Sequence, residues 1–155
     1  MEDDMPLITI KAPAGVLNAE IKAALARNLV SAAAECEQIP DDPKKRALCM
    51  VMIEEAAAGN WTFGGLDLSD MLISFVATVN LAKGVLDDRS RVRFVELAHR
   101  AIIESLPGEK RRISTSIIID EVEDGMWGVG GSLWGLREHA AASGYKHLQH
   151  LVVSR

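Results

Sequence analysis

Several features that announce common protein classes are scarce or missing in this chain of 155 residues. It has only two cysteines, Cys36 and Cys49, and their separation is not that of a metal-binding pair. No disulfide framework or metal site is expected, both read as buried thiols, and the expected compartment is a reducing cytoplasm. No apolar run reaches the roughly 18 residues that a membrane span requires. The opening residues Met1 to Asp4 are acidic where a secretion signal is basic. Basic residues are outnumbered, 17 Lys and Arg against 22 Asp and Glu, for a net charge of -5. That balance argues against a nucleic-acid partner. The one compact basic cluster, Lys110-Arg111-Arg112, reads as a solvated turn before a strand. There is no Ser/His/Asp order, phosphate loop or zinc pattern, and no cofactor is expected. His147 and His150 have a ligand-compatible spacing without a third ligand nearby. His99 reads as a histidine packed along a helix.

What is present is a repeat. The segment KKRALCMVMIEEAAAGNWTFGG (44–65) matches KRRISTSIIIDEVEDGMWGVGG (110–131) at a constant offset of 66 residues. Arg46 meets Arg112, Ile53 meets Ile119, Glu55 meets Glu121, and Trp61 meets Trp127. Upstream, Gly15-Val16-Leu17 meets Gly84-Val85-Leu86 at an offset of 69, so the first copy carries three extra residues. They fall around the turn-rich QIPDDP.

Each copy repeats one order of elements. Residues 6–12 and 72–81 are rich in β-branched side chains and read as strands. Asn18 and Asp87 then stand as N-caps. Helices follow over 19–36, with Ile21, Ala24, Leu25, Leu29, Ala32 and Ala33 inward, and over 88–106, with Val92, Val95, Ile102, Ile103 and Leu106 inward. Residues 46–54 and 112–120 are apolar runs suited to buried strands. At the end of the chain, Ser132 is expected to cap a short helix reaching about Ala142, and HLVV to form an edge strand or reach a neighbouring chain. The fold expected is α+β (α/β-like). Two β-α-β units, 5–66 and 70–136, fuse into a four-stranded sheet with two helices on one face, and 137–155 forms a C-terminal extension. A right-handed crossover joins the strands of each copy. The other sheet face stays apolar and uncovered, so oligomerisation is expected.

Met5-Pro6-Leu7-Ile8-Thr9-Ile10, the Gly15 breaker, and Gly59-Asn60-Trp61-Thr62-Phe63-Gly64-Gly65 together resemble the tautomerase superfamily, of the 4-oxalocrotonate tautomerase type. The duplication is similar to its fused members, such as the cis-3-chloroacrylic acid dehalogenase and malonate semialdehyde decarboxylase groups. The resemblance spans residues 5 to about 136. It implies an isomerase that moves a proton between keto and enol forms of a small carbonyl compound or unsaturated acid, in a homotrimer. Pro6 is its general base or acid once it is the amino-terminal residue. The alternatives it implies are a decarboxylase, or a hydratase or dehalogenase-like enzyme, using protonated Pro6, and a trimer that keeps the fold without the chemistry.

An α-amino group titrates at about 7.7–8.0, and burial lowers that value, which makes a neutral amine a competent base. Only the first copy has the proline; Phe75 stands opposite Pro6 in the second, which is expected to be structural. The positions at which relatives carry carboxylate-gripping arginines are Val16, Met50, Val85 and Ser116 here. The substrate-binding candidates are therefore Lys11, Arg46, Arg112 and Ser116, with Trp61 and Phe63 from the glycine-rich turn; Trp61 reads equally as core packing. Inside a chain the Pro6 nitrogen is an amide without basicity. The expectation is that the working protein begins at Met5 and that Met1 to Asp4 is an addition to it.

Overall fold

A computed structural model describes residues 7–153. Pro6 and Met5, on which the chemistry of the resemblance turns, lie outside the described residues. The first copy runs β1 (Leu7–Pro13), α1 (Ala19–Glu37), a short helix α2 (Pro43–Arg46) and β2 (Met50–Ala56). The second runs β3 (Leu72–Ala82), α3 (Asp88–Glu104) and β4 (Arg112–Val122). The four strands form one sheet in the order β2-β1-β3-β4. Within each copy the two strands are parallel, and the copies join through antiparallel β1 and β3.

The sequence repeat is carried into the register. Leu7 pairs with Met50, and its counterpart Val76 pairs with the counterpart of Met50, Ser116. Where the copies meet, Thr9 pairs with its own counterpart, Thr78, so the local two-fold relation passes through that pair. Alternate residues of β1 and β3 (Ile8, Ile10 and Ala12; Ile73, Phe75, Ala77, Val79 and Leu81) are buried in the core. Both helices cover this face, as a strand period of two requires.

Capping starts both helices where the sequence places it. Asn18 accepts a hydrogen bond from the Ile21 amide, 2.8 Å. Asp87 accepts from the Ser90 amide, and the Ser90 hydroxyl accepts from the Asp87 amide. In α1 Leu25, Leu29, Ala32 and Ala33 are buried as expected, with Ala34, Cys36 and Glu37, while Ile21 and Ala24 are half-buried. In the second copy Ile102 and Leu106 are buried as expected, but the rest of the inward face of α3 differs. Phe94, Ala98, Ala101 and Ile102 are buried, while Val92, Val95 and Ile103 are exposed. The apolar residues of this helix fall all round it. Packing selects the row holding Phe94, with small alanines one and two turns on that let α3 lie close to the sheet.

Four other expectations are corrected. The strand expected over 46–54 begins only at Met50, because Asp42 caps α2 through the Lys44 amide, 2.9 Å, with Pro43 at its first position. Ser132 does not cap a helix; it pairs in a small hairpin of β5 (Trp127–Val129) and β6 (Ser132–Trp134). Helix α4 (Leu136–Ser143) starts at Gly135, whose amide is held by the Glu138 carboxylate, 2.7 Å. The HLVV segment is helical, in α5 (Gln149–Val153) after a 3-10 turn, not an edge strand. Both cysteines are free and buried. His99 is exposed rather than packed, with its Nδ1 2.7 Å from the Thr115 hydroxyl. No described helix is long and apolar enough to cross a membrane.

Candidate functional site

The sheet face away from the helices is built in registered rows. One row is Met50, Leu7, Asn80 and Asp120; the next is Met52, Thr9, Thr78 and Ile118; the third is Glu54, Lys11, Val76 and Ser116. Met52 and Ile118 are about half exposed, at 48% and 49%. The face is therefore not uniformly apolar as expected from sequence. Its middle row sets two threonines between apolar Met52 and Ile118, and a polar or charged pair lies to either side, one in each copy. In the second copy, Asn80 Nδ2 donates to Asp120 Oδ2 at 2.9 Å. In the first, Lys11 lies beside Glu54 in the ladder and has no ion-pair partner among the described residues.

These pairs sit at opposite ends of the sheet. Lys11, Glu54, Glu55, Asn60, Trp61 and Val76 line a cavity of about 450 Å³ at the end where β1 finishes. Ser116 is the ladder partner of Val76, so it stands on the same row. Phe63 lines a smaller neighbouring cavity with Pro13, Trp61 and Ser74. Four of the expected site residues, Lys11, Trp61, Phe63 and Ser116, thus gather in one region. Leu7, the residue after Pro6, starts β1 four residues before Lys11, about 13 Å away along the strand. Antiparallel pairing puts the second copy there instead: Leu7 faces Asn80, and β3 and β4 end beside the start of β1.

Arg46 and Arg112 occupy different settings although they match in sequence. Arg112 opens β4, pairs with Leu72 in the ladder and is exposed. Arg46 ends α2, outside the sheet, with Asp41 at 3.6 Å. Phe75, the counterpart of Pro6, is fully buried in the core.

The C-terminal segment closes the end of the sheet at which β1 starts. It grips both copies. The Lys146 amide donates to the Gln38 carbonyl at 2.9 Å, and Lys45 Nζ donates to the Ala142 carbonyl at 2.8 Å. His147 Nε2 lies 2.7 Å from the Val85 carbonyl. Leu136 packs over Gly84, whose φ of +103° suits glycine. Two buried ionisable groups result. Glu37, 1% exposed, meets the Tyr145 hydroxyl at 3.3 Å, and its second oxygen has no partner. Burial pushes this carboxyl up to about 8, against the pull of the tyrosine hydrogen bond. His139 is enclosed between Trp127 and Trp134, with ring centroids at 5.1 and 5.2 Å. Burial lowers its imidazole to about 4, against the opposing influence of Glu138 and Asp124. Burial also raises the Cys49 thiol well above its ordinary value, with Glu37 adding to the effect.

Sequence reading passed over Asn80, Glu37 and His139, and took Asp120, like Glu54, for the end of a matching strand. The available signals were polar residues inside β-branched runs and the match of Trp61 with Trp127. No group of three or more potential metal ligands occurs among the described residues.

A sequence model described as Tautomerase enzyme matches residues 76–137, which lie in the copy without the proline. No curated protein matches the chain. Among solved structures, an F6 fused 4-OT wild-type asymmetric trimer is 22% identical, covering 82% of this chain and 94% of its own, with a TM-score of 0.67. A Q0 fused 4-OT wild-type symmetric trimer is 19% identical, covering 89% and 98%, with a TM-score of 0.65. N1, a member of the cis-3-chloroacrylic acid dehalogenase family, is 17% identical, covering 93% and 96%, with a TM-score of 0.67. The resemblance read from Met5-Pro6 and the repeat therefore holds: the chain has the tautomerase fold in its fused, two-copy form.

Proposed function

We propose that this protein is a tautomerase-type isomerase. It transfers a proton between carbon and oxygen of a small enolisable carbonyl compound or unsaturated acid, with Pro6 as the acid–base group. The observation that carries the reading is a Met5-Pro6 pair directly before β1 of a fused tautomerase fold. A secondary amine there takes a proton from one atom of the substrate and returns it to another, and needs no metal or cofactor. Removal of Met5 and everything before it creates the amine; as an internal amide the same nitrogen holds no proton.

The row Met50, Leu7, Asn80 and Asp120 forms the floor at the start of β1, and the Asn80–Asp120 pair supplies its polar groups. Lys11, Trp61, Phe63 and Ser116 reach a proline only from a neighbouring chain, since Leu7, the first described residue of β1, is about 13 Å along the strand from Lys11. A homotrimer meets that need and covers Met52 and Ile118. The fused 4-OT relatives are trimers by description, which supports this assembly.

A second reading has a specific observation in its favour. The likeness to a cis-3-chloroacrylic acid dehalogenase family member supports a protonated Pro6 acting as general acid, in hydration, dehalogenation or decarboxylation of an unsaturated acid.

The test compares two chains by intact mass and by turnover of an enol such as phenylenolpyruvate. A chain beginning at Pro6 is expected to be active, with a pH profile set by one amine. The chain of 155 residues is expected to be inactive. Equal activity of the longer chain, its extension verified by mass, overturns the assignment of Pro6.

A further inference from the structure

We infer that the first copy carries a binding site for a small organic anion between α1, α2 and the outer edge of β2, gripped by Arg27 and Arg46. This site is separate from the reading of Pro6 as catalyst and stands without it. Both arginines line one cavity of about 430 Å³, with Ser31 beside them and Val30, Cys49 and Val51 as its apolar wall. That volume suits a small molecule.

Among the described residues, the charges in this cavity have one ion-pair partner between them. Arg27 has no ion-pair partner among the described residues. The sole carboxylate near Arg46 in the described residues is Asp41, 3.6 Å from Nε, too far for a hydrogen bond and 94% exposed. Arg46 Nε is itself buried and has no hydrogen-bond partner. Two arginines lining one cavity, one of them with a buried Nε that has no hydrogen-bond partner, leave donors unused. A carboxylate or phosphate head takes them up, since a guanidinium fork matches either group. The apolar wall then selects an anion with a short hydrocarbon body over a bare inorganic ion.

The second copy locates the cause. Its matching arginine, Arg112, is held in the ladder of β4 and exposed. In the first copy Asp42 and Pro43, at the end of QIPDDP, start the capped helix α2, which holds Arg46 outside the strand on a cavity that α1 also lines. The two halves thus differ at this arginine, which stands on a helix in the first and in a strand in the second.

Butyrate is the probe, followed by ligand-observed NMR on the full chain. Inorganic phosphate is the competitor, at matched ionic strength. Native protein is expected to bind butyrate, phosphate to displace it, and Arg27→Gln and Arg46→Gln each to weaken binding at least tenfold with unchanged circular dichroism. Arg112→Gln is expected to bind as the native chain does. No butyrate binding, unchanged affinity in the Arg27→Gln/Arg46→Gln double variant, or butyrate binding that phosphate cannot compete each overturns the site. Should one single variant fail to fold, Arg46→Lys keeps the charge without the fork, and retained full affinity there counts against the guanidinium grip.

Discussion

The two halves of this molecule share a register and a plan, yet they differ wherever their neighbours differ. Glu37 ends α1, and at the corresponding end of the second copy stands Leu106, buried and apolar. Gly15 has open space around it, whereas a side chain at its counterpart Gly84 would run into Leu136. Trp61 lines an open cavity, while Trp127 is packed against His139. The strand interiors stayed alike because each buries one face under a helix. The ends diverged because only one end of the sheet is covered by the C-terminal segment. Duplication preserved the packing problem and released the surfaces.

The largest expected effect tests the division between Pro6 and Phe75. Phe75→Ala removes a fully buried ring and is expected to lower stability by about 3–5 kcal/mol in denaturant unfolding. Pro6→Ala, in a chain that begins at that residue, is expected to fold normally and lose most turnover. Equal loss of turnover in both variants with folding intact contradicts a single site.

The next test concerns Glu37 against Leu106. The folded carboxyl titrates at about 8 and its unfolded counterpart near 4.5, so the native state holds the extra proton between those values. Stability contributed by this group is therefore full below the lower value and is lost as pH rises through the upper one. His139, lowered from 6.5 to about 4, has the opposite slope, losing stability as pH falls through that window. The two oppose each other where the windows overlap. Above it Glu37 acts alone, and unfolding free energy is expected to fall by about 2 kcal/mol between pH 6.5 and 8. Glu37→Gln is expected to flatten that slope, and Glu37→Leu to flatten it while making the first helix end like the second. A slope that survives both substitutions would place its origin elsewhere.

The smallest effect compares two glycines. Alanine at Gly15, where φ is +89°, is expected to cost about 1 kcal/mol through backbone strain alone. At Gly84 it adds a contact of 2.8 Å with Leu136, so a further loss of roughly 1 kcal/mol is expected. Removing the leucine branch with Leu136→Ala should erase the difference between the two alanine variants in thermal melts.

The repeat was readable because identical packing leaves identical signals: β-branched strands, Asn18 and Asp87 as caps, and matching offsets that became matching ladder registers. The face of α3 was not readable, since Val92, Val95 and Ile103 are as apolar as the residues chosen. Only the sheet beneath decides for Phe94 and Ala98. The C-terminal segment misled for a related reason. Gly135 caps α4 without any side chain, and the β-branched end of the chain turns helical against the core. At the candidate site, Lys11 and Trp61 were legible as separate candidates, and the fold brings them onto one cavity. Their separation from the start of β1 depends on antiparallel pairing between copies, which no repeat encodes.

Tyr145 is the chain's one tyrosine, and its hydroxyl is buried against Glu37 with its ionisation raised well above the ordinary value. Phenolate absorbs in the near ultraviolet where neutral phenol does not. The absorbance of this protein in alkali therefore records a single hydroxyl, at the junction of the C-terminal segment with α1. Release of that segment has a built-in optical reporter, readable in an unlabelled protein.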